Sequence, residues 1–239
     1  MNKFLCFISS FFLLLSISFN SFSDNQLDNF NSKFAKYKSD PKVRSAKAMV
    51  VNQNNGKVIY QKNAYSEASI ASLTKLMTAM VILDSKIDLK KKIKITKHDI
   101  DRLKGTGSRI PIGTLVTGYD LLKISLMSSD NRAASALSRA YPSGKKGFIK
   151  AMNIKALKLG MHNSKFADPT GLNKRNKSTA RDLVRMVEAA YQYPEIRKIT
   201  TTSQETFRIG KRKNEIGFVN TNRLVRKGTW DIGLSKTGF

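Results

Sequence analysis

The chain has 239 residues, enough for one large domain or two small ones, and 41% of them are hydrophobic, which argues against global disorder. Its formal net charge of +26 indicates nucleic acid, an anionic surface or an acidic polymer as a neighbour. The basic residues are spread along the chain and form no long block, so drift in codon composition explains the charge equally well.

The N-terminal segment predicts a secretory signal peptide. Met1–Lys3 gives a short positive start, residues 4–19 form an uncharged apolar run, and Ser21 and Ser23 suit cleavage after Ser23. The apolar run is shorter than the roughly 20 residues of a membrane span, although an uncleaved anchor remains the alternative. Cleavage would remove the single cysteine, Cys6, and would leave neither a disulfide framework nor a thiol nucleophile.

The mature chain begins with a polar lead-in, rich in Lys and Asn, at residues 24–45. Residues 47–63 predict a β-hairpin, because two β-rich runs flank the strong turn signal Asn55-Gly56. The apolar residues that follow change to a helical period, which predicts a helix up to about Asp84.

Three helical segments follow after a lysine-rich connection and several turns. A break near Ser128 divides the first segment into two runs, and Gly160 closes the second. Thr179 and Asp182 form a start like a capping box in the third segment, which ends before a proline. The segments are residues 118–142, 144–161 and 178–194.

Strand signals occupy the last part of the chain, from Ile199 to Phe239. A hairpin, a block of helices and then strands predict an α+β fold: an antiparallel sheet with a helical lobe inserted between its strands. We expect a cleft between the lobe and the sheet.

Ser72 and Lys75 stand three residues apart at the start of a predicted helix, so they share one face of it. A serine hydroxyl becomes nucleophilic when a nearby base takes its proton. A lysine can be that base when burial or a second cation lowers its pKa. The pair therefore predicts a nucleophile and its base, although a capping serine and a solvated lysine have the same spacing.

Two further motifs favour the catalytic interpretation. Ser129 and Asn131, in SSDN, interrupt a helical region, and Lys236, Thr237 and Gly238, in LSKTGF, lie on a predicted strand. Ser-x-x-Lys, Ser-x-Asn and Lys-Thr-Gly, in this order, form the motif set of penicillin-binding proteins and class A β-lactamases.

With these motifs the sequence resembles the serine DD-peptidase family of low-molecular-weight penicillin-binding proteins, and most closely its periplasmic D-alanyl-D-alanine endopeptidases. The likeness runs from about Lys47 to Phe239 and includes GTGSRIPIGT, MSSDNRAASALSRAYP, FADPTGLN and STARDL. It implies a β-lactamase/transpeptidase-like fold and a periplasmic hydrolase of D,D-bonds in peptidoglycan stem peptides. It also implies acylation by β-lactam antibiotics, and neither a cofactor nor a metal.

The resemblance also implies a role for each matched position. Ser72 would be the acylated nucleophile, Lys75 its general base, and Ser129 a proton relay to the leaving amine. Asn131 would orient Lys75 and the substrate amide, and Lys236 would be a second cation that keeps Lys75 deprotonated. Thr237, beside Gly238, would bind the substrate carboxylate. The backbone N–H groups of Ser72 and Phe239 would form the oxyanion hole.

Several alternatives stay open at this point. The cleaved bond could lie in a cross-link or before a terminal D-alanine, which separates an endopeptidase from a DD-carboxypeptidase. A class A-like β-lactamase also needs a carboxylate that activates water, and the loop before STARDL offers only Asp168. A histidine-based triad is disfavoured, because His98 and His162 are the only histidines and no Gly-x-Ser-x-Gly is present. The signal peptide argues against a specific nucleic-acid partner and favours peripheral contact with an anionic envelope.

The position of the last motif leads to one more expectation. Members of the resembled family continue beyond it with strands and a C-terminal helix, which are missing here. Residues 46–239 are therefore expected to be a truncated penicillin-binding domain. An inactive remnant or scaffold is then the alternative to an enzyme, with weak activity and poor stability for this polypeptide.

Overall fold

The computed structural model describes residues 42–210 and 214–238. The chain divides into two compact units, Met1–Arg44 and Ser45–Phe239, and the description below concerns the second. The predicted signal peptide, nearly all of the lead-in and Phe239 lie outside the described residues.

Seven α-helices are described in residues 42–210 and 214–238. They are α1 (Thr74–Asp84), α2 (Gly118–Met127), α3 (Asn131–Arg139), α4 (Gly144–Lys158), α5 (Ala180–Tyr191), α6 (Pro194–Thr201) and α7 (Arg223–Lys227). Two short 3-10 turns are also present, one before α1 at Ala71–Leu73 and one at Lys97–Asp99. The predicted helices are thereby confirmed, including the break near Ser128 and the end at Gly160.

Polar side chains at the N-terminal ends explain several of these boundaries. The side chains of Thr117, Asp130 and Thr179 accept hydrogen bonds from backbone N–H groups in the first turns of α2, α3 and α5. Each N-cap satisfies an amide that has no acceptor inside its helix.

Helix α1 forms the centre of the core. All residues from Thr74 to Ile82 are buried, and the helix packs against α2, α3, α4 and α5. A helix buried on every side must be apolar almost all round, and the run Leu76, Met77, Ala79 and Met80 meets this requirement. The buried amine of Lys75 is therefore the exception that needs an explanation.

Eight strands form four separate two-stranded antiparallel ladders in the described part of the chain. The pairs are β1 (Ala48–Val51) with β2 (Val58–Lys62), β3 (Ala68–Ser69) with β6 (Lys177–Ser178), β4 (Lys92–Lys94) with β5 (Leu115–Thr117), and β7 (Gln204–Ile209) with β8 (Asn214–Val219). The α+β class and the first hairpin are confirmed. In place of the single antiparallel sheet that was predicted, the described residues contain these four small ladders.

The prediction of strands throughout residues 199–239 is wrong in three places, and one of these is the helix α7 at Arg223–Lys227. The helix α6 extends to Thr201, because Pro194 at its first turn has the φ angle that starts a helix. Residues 234–238, which contain Lys236 and Thr237, form no strand. A strand is defined by ladder hydrogen bonds, and no described strand pairs with this segment.

No helix within residues 42–210 and 214–238 combines the length and the apolar character needed to cross a bilayer.

Candidate active site

Ser72 lies on a tight turn whose backbone packs against Gly171. Ala71, just before it, has a φ of 45°, which is unusual for a residue with a side chain. A Cβ atom on Gly171 would lie 1.9 Å from the carbonyl oxygen of Ala71 and 2.9 Å from the nitrogen of Ser72. The FADPTGLN loop can therefore approach the serine turn only because it carries glycine there. As the second residue of the 3-10 turn, Ser72 has an N–H without an acceptor inside that turn.

The side chain of Lys75 is fully buried, and its amine has three oxygen neighbours. Its Nζ lies 3.0 Å from Ser72 Oγ, 2.7 Å from Asn131 Oδ1 and 2.7 Å from the carbonyl oxygen of Thr170. A carbonyl oxygen and an amide oxygen can only accept hydrogen bonds. In the neutral amine these two oxygens take both N–H groups, so the nitrogen lone pair is left for the Ser72 hydroxyl proton.

The second motif occupies the short break between α2 and α3. Ser129 has a φ of 61°, Asp130 is the N-cap of α3, and Asn131 is the first residue of that helix. The left-handed backbone at Ser129 makes the chain change direction between the two helices. Ser129 therefore lies on the turn itself, while Asn131 reaches Lys75 from the start of α3.

The third motif contacts the second motif directly and lies next to the first. Lys236 Nζ donates to Ser129 Oγ at 2.9 Å and to the carbonyl oxygen of Thr237 at 3.0 Å. A Cβ atom on Gly238 would lie 3.4 Å from the carbonyl oxygen of Ile70, next to the serine turn. Three segments that are far apart in the sequence thus converge beside one turn.

Of two further predicted site residues, the structure describes Thr237 but not Phe239. Thr237 Oγ1 lies 2.6 Å from Thr221 Oγ1. The backbone N–H of Phe239, predicted for the oxyanion hole, lies outside the described residues.

Burial lowers the pKa of Lys75 from 10.5 to about 8, against the opposing charges of Asp130 and Asp168. Burial, followed by the charge of Lys75, lowers the pKa of Lys236 to about 7. The sequence analysis gave burial or a second cation, which the family resemblance placed at Lys236, as the cause of a lowered pKa at Lys75, and burial is the larger cause at both lysines. Because two nearby ammonium groups repel each other, the amines titrate as a pair near neutral pH.

The sequence analysis did not identify the groups that hold these residues in place. Asp168 accepts hydrogen bonds from the backbone N–H groups of Thr170, Gly171 and Asn173, at 2.6, 2.7 and 2.6 Å, which sets the loop carbonyl that Lys75 binds. The fully buried Asn176 joins this loop to α1 through Thr74. The Asp-Pro-Thr-Gly pattern signals such a turn, but it does not reveal its neighbour.

A cavity of about 410 Å³ adjoins these residues. Asn131, Ser135, Asp168 and Thr170 line one part of it, and residues 98–103 line another. No three His, Cys, Asp or Glu side chains in residues 42–210 and 214–238 are placed to hold a metal ion.

Comparisons with known proteins agree with this geometry. The D-alanyl-D-alanine carboxypeptidase family matches residues 34–239. The D-alanyl-D-alanine endopeptidase of Pseudomonas aeruginosa is 46% identical over 197 residues, which cover 82% of this chain and 64% of the relative. The Escherichia coli endopeptidase is 44% identical over 201 residues, which cover 84% and 65%. The chain thus spans slightly less than two thirds of the length of these relatives.

The solved structure of the Streptomyces K15 DD-transpeptidase superposes with a TM-score of 0.77 and 30% identity, over 84% of this chain and 82% of that one. The transpeptidase-like fold and the family resemblance predicted from the motifs are therefore confirmed. This chain belongs to the D-alanyl-D-alanine carboxypeptidase family of serine peptidases.

Proposed function

We propose that this protein is a D-alanyl-D-alanine endopeptidase that cleaves peptidoglycan cross-links through an acyl-serine intermediate. The observation that carries the proposal is the buried amine of Lys75, whose two acceptor-only partners leave its lone pair for Ser72. The choice of an endopeptidase is supported by the relatives of that name at 46% and 44% identity.

In the proposed reaction Lys75 takes the hydroxyl proton of Ser72 while Oγ attacks the carbonyl carbon of the D-alanine residue in the bond to be cleaved. The tetrahedral oxyanion is stabilised by the backbone N–H of Ser72 and, in our expectation, by that of Phe239. The C–N bond then breaks, and the departing amine takes a proton through Ser129, which Lys236 contacts. Water next hydrolyses the acyl-serine and restores the Ser72 hydroxyl.

Substrate orientation is assigned to three further residues. Asn131 would hold Lys75 and the substrate amide, and Thr237, next to Gly238, would bind the carboxylate beyond the cleaved bond. In its protonated form Lys236 adds positive charge on the same side as Thr237, which favours an anionic substrate or a β-lactam carboxylate. The expected ligands are peptidoglycan stem peptides and, as acylating inhibitors, β-lactam antibiotics.

Penicillin labelling tests the proposal at the nucleophile. We expect a fluorescent penicillin to label the wild type covalently, Ser72→Ala to lose all labelling, and Lys75→Ala to slow it by at least about 100-fold at neutral pH. Ser143→Ala and Lys150→Ala, on or next to α4, are matched exposed controls and should label like the wild type. Labelling that persists in Ser72→Ala would contradict the assignment of Ser72 as the nucleophile. A wild type that is not labelled would contradict the proposed enzymatic function.

The second test separates the endopeptidase from the DD-carboxypeptidase. Purified muropeptides should be consumed as cross-linked dimers, with little loss of monomeric pentapeptide. Preferential release of D-alanine from the pentapeptide would replace the endopeptidase by the carboxypeptidase and leave the acyl-serine chemistry intact.

A β-lactamase is disfavoured by the surroundings of its candidate carboxylate. Asp168 Oδ1 already accepts from Thr170 N, Thr170 Oγ1 and Gly171 N, and Oδ2 accepts from Asn173 N. A carboxylate occupied in this way has little capacity left to activate a water molecule. Prompt turnover of nitrocefin, rather than a long-lived acyl-enzyme, would contradict this proposal.

The proposed compartment rests on the N-terminal sequence. We infer export through a signal peptide cleaved after about Ser23, placement in the periplasm, and peripheral contact with the anionic envelope through the net charge of +26. N-terminal sequencing of the exported protein tests the cleavage site, and an intact Met1 in the mature protein would contradict it.

A further inference from the structure

A chain of hydrogen bonds runs from the surface loop at residues 101–106 to the buried Lys75. Thr106 Oγ1 donates to Asp101 Oδ2 at 2.7 Å, and Asn131 Nδ2 donates to Thr106 Oγ1 at 2.9 Å. The other end of the Asn131 amide, Oδ1, accepts from Lys75 Nζ at 2.7 Å. Neither Asp101 nor Thr106 belongs to the three motifs, and neither touches the nucleophile in the hydrogen bonds described.

The direction of this chain follows from the number of protons available. Burial raises the pKa of Asp101, but hydrogen bonds from Thr106, Lys104 and Leu103 outweigh it and hold the pKa below its ordinary value. Asp101 is therefore an ionised carboxylate near neutral pH and can only accept. Because the Thr106 hydroxyl has one proton and gives it to Asp101, its oxygen must accept from Asn131.

The orientation of Asn131 matters because the two ends of its amide have similar shapes and opposite hydrogen-bonding character. With Oδ1 toward Lys75, the amide accepts one N–H of the amine, and the carbonyl of Thr170 accepts the other. With the amide turned over, its Nδ2 donors would compete with Ser72 for the lone pair of the neutral amine.

We propose that Asp101 and Thr106 are positioning residues that fix the amide orientation of Asn131 and so direct the lone pair of the Lys75 amine toward Ser72. This inference rests on the proposed acyl-serine function and deepens it. It assigns the exposed loop a role in the orientation of the base, in addition to its place beside the cavity.

The expected effect on the pH profile has a definite sign. The charges that face Lys75 are Asp130 and Asp168, which favour its ammonium form, and Lys236, which disfavours it. The amide oxygen of Asn131 also favours the ammonium form as an acceptor. When the amide turns over, Lys75 loses this acceptor, so the apparent pKa of acylation should fall together with the limiting rate.

Thr106→Val is the direct test, because it keeps the side-chain shape and removes the hydroxyl. We expect the limiting rate of acylation by a fluorescent penicillin to fall about tenfold, the effect of one hydrogen bond to a charged group, with a lower apparent pKa. Thr106→Ser retains the hydroxyl and should restore both values to within about twofold of the wild type. Thr114→Val is the matched control, since the hydroxyl of Thr114 donates to the carbonyl of Pro111 and contacts no site residue.

Asp101→Asn tests the same chain from its other end with almost no change in shape. The new amide would offer an N–H group to Thr106, whose hydroxyl proton would then be free to point at Asn131 and turn its amide over. We therefore expect the same lower rate and lower apparent pKa as in Thr106→Val. The double variant should be no slower than the slower single variant, because both act through Asn131.

The outcomes separate this inference from the function on which it rests. If the wild type is acylated and both single variants keep its rate and its apparent pKa, the positioning role is wrong while the acyl-serine function stands. A rate loss that Thr106→Ser does not restore, with no change in apparent pKa, also overturns the inference, because it indicates a loop defect. If the wild type itself is never acylated, both proposals fail together.

Discussion

Lys75, the base in the proposed reaction, shows how burial changes the protonation of a lysine side chain. Its side chain is 0% exposed, which penalises the ammonium form and lowers the pKa to about 8. Every hydrogen-bonding position of the amine nevertheless has an oxygen within 3.0 Å. Burial therefore makes the amine available as a base, and the three oxygens determine where its lone pair points.

The pH dependence of acylation tests this account at the residue scale. The second-order rate of penicillin acylation should rise with pH through an apparent pKa near 8 and level off above it, because only the neutral amine can take the Ser72 proton. Lys158→Gln, an exposed position at the end of α4, should keep the same profile. A flat rate between about pH 6 and pH 10 would contradict the base role of Lys75.

The FADPTGLN loop and the serine turn depend on each other at the scale of elements. Gly171 has a φ of 87° and lies against the backbone of Ala71 and Ser72. These backbone atoms could not move away from an added Cβ atom as the end of a flexible side chain could. The same loop supplies the Thr170 carbonyl to Lys75 and the Pro169 carbonyl to Thr78. A small shift of this loop would therefore disturb Lys75 and Ser72, the proposed base and nucleophile, together.

Two glycine substitutions separate close approach from backbone strain. Gly171→Ala should cost about 3 kcal/mol or more in the free energy of unfolding and abolish acylation, because the new Cβ would meet the Ala71 carbonyl. Gly113→Ala is the matched control, with a φ of 85° and open space around the new Cβ. It should cost only about 1 kcal/mol, the strain of a left-handed alanine. Urea unfolding measures both, and equal losses would argue against the close contact.

The lysine pair affects the whole molecule through the pH dependence of folding. Lys75 and Lys236 have pKa values below 10.5 in the folded chain, so the unfolded chain binds more protons between about pH 7 and 10.5. The contribution of this lysine pair to stability therefore rises with pH across this window. The fall at Lys75 from 10.5 to about 8 corresponds to about 3 kcal/mol, present as a penalty below pH 8 and removed above pH 10.5.

Lys75→Met isolates this contribution from that of the net charge of +26, which is nearly unchanged in the variant. We expect the free energy of unfolding to rise less steeply with pH in Lys75→Met than in the wild type, and the difference to develop between about pH 8 and 10.5. Urea unfolding at a series of pH values gives both slopes. Parallel curves would show that Lys75 has the same pKa in the folded and unfolded chains.

Local patterns in the sequence were enough for the helices α1 to α5, the first hairpin and the three motifs. Periodicity, turn residues and N-caps such as Thr179 act over a few neighbouring residues, so they can be read from the order of amino acids. The segment around Lys236 could not be predicted in this way, because a strand exists only when another segment pairs with it.

The residue types that the proposed acyl transfer needs, Ser72 and Lys75 with their companions Ser129 and Lys236, were already evident from motif order and spacing, because that chemistry demands those side chains. Only the tertiary structure decided the pKa of the Lys75 amine and the direction of its lone pair. Burial within the helical core lowers the pKa of Lys75, a backbone carbonyl 95 residues away fills one of its hydrogen bonds, and the loop at Asp101 reaches Asn131. Such partners carry no signature in the sequence, because a backbone carbonyl is common to every residue and its position depends on the packing of distant segments.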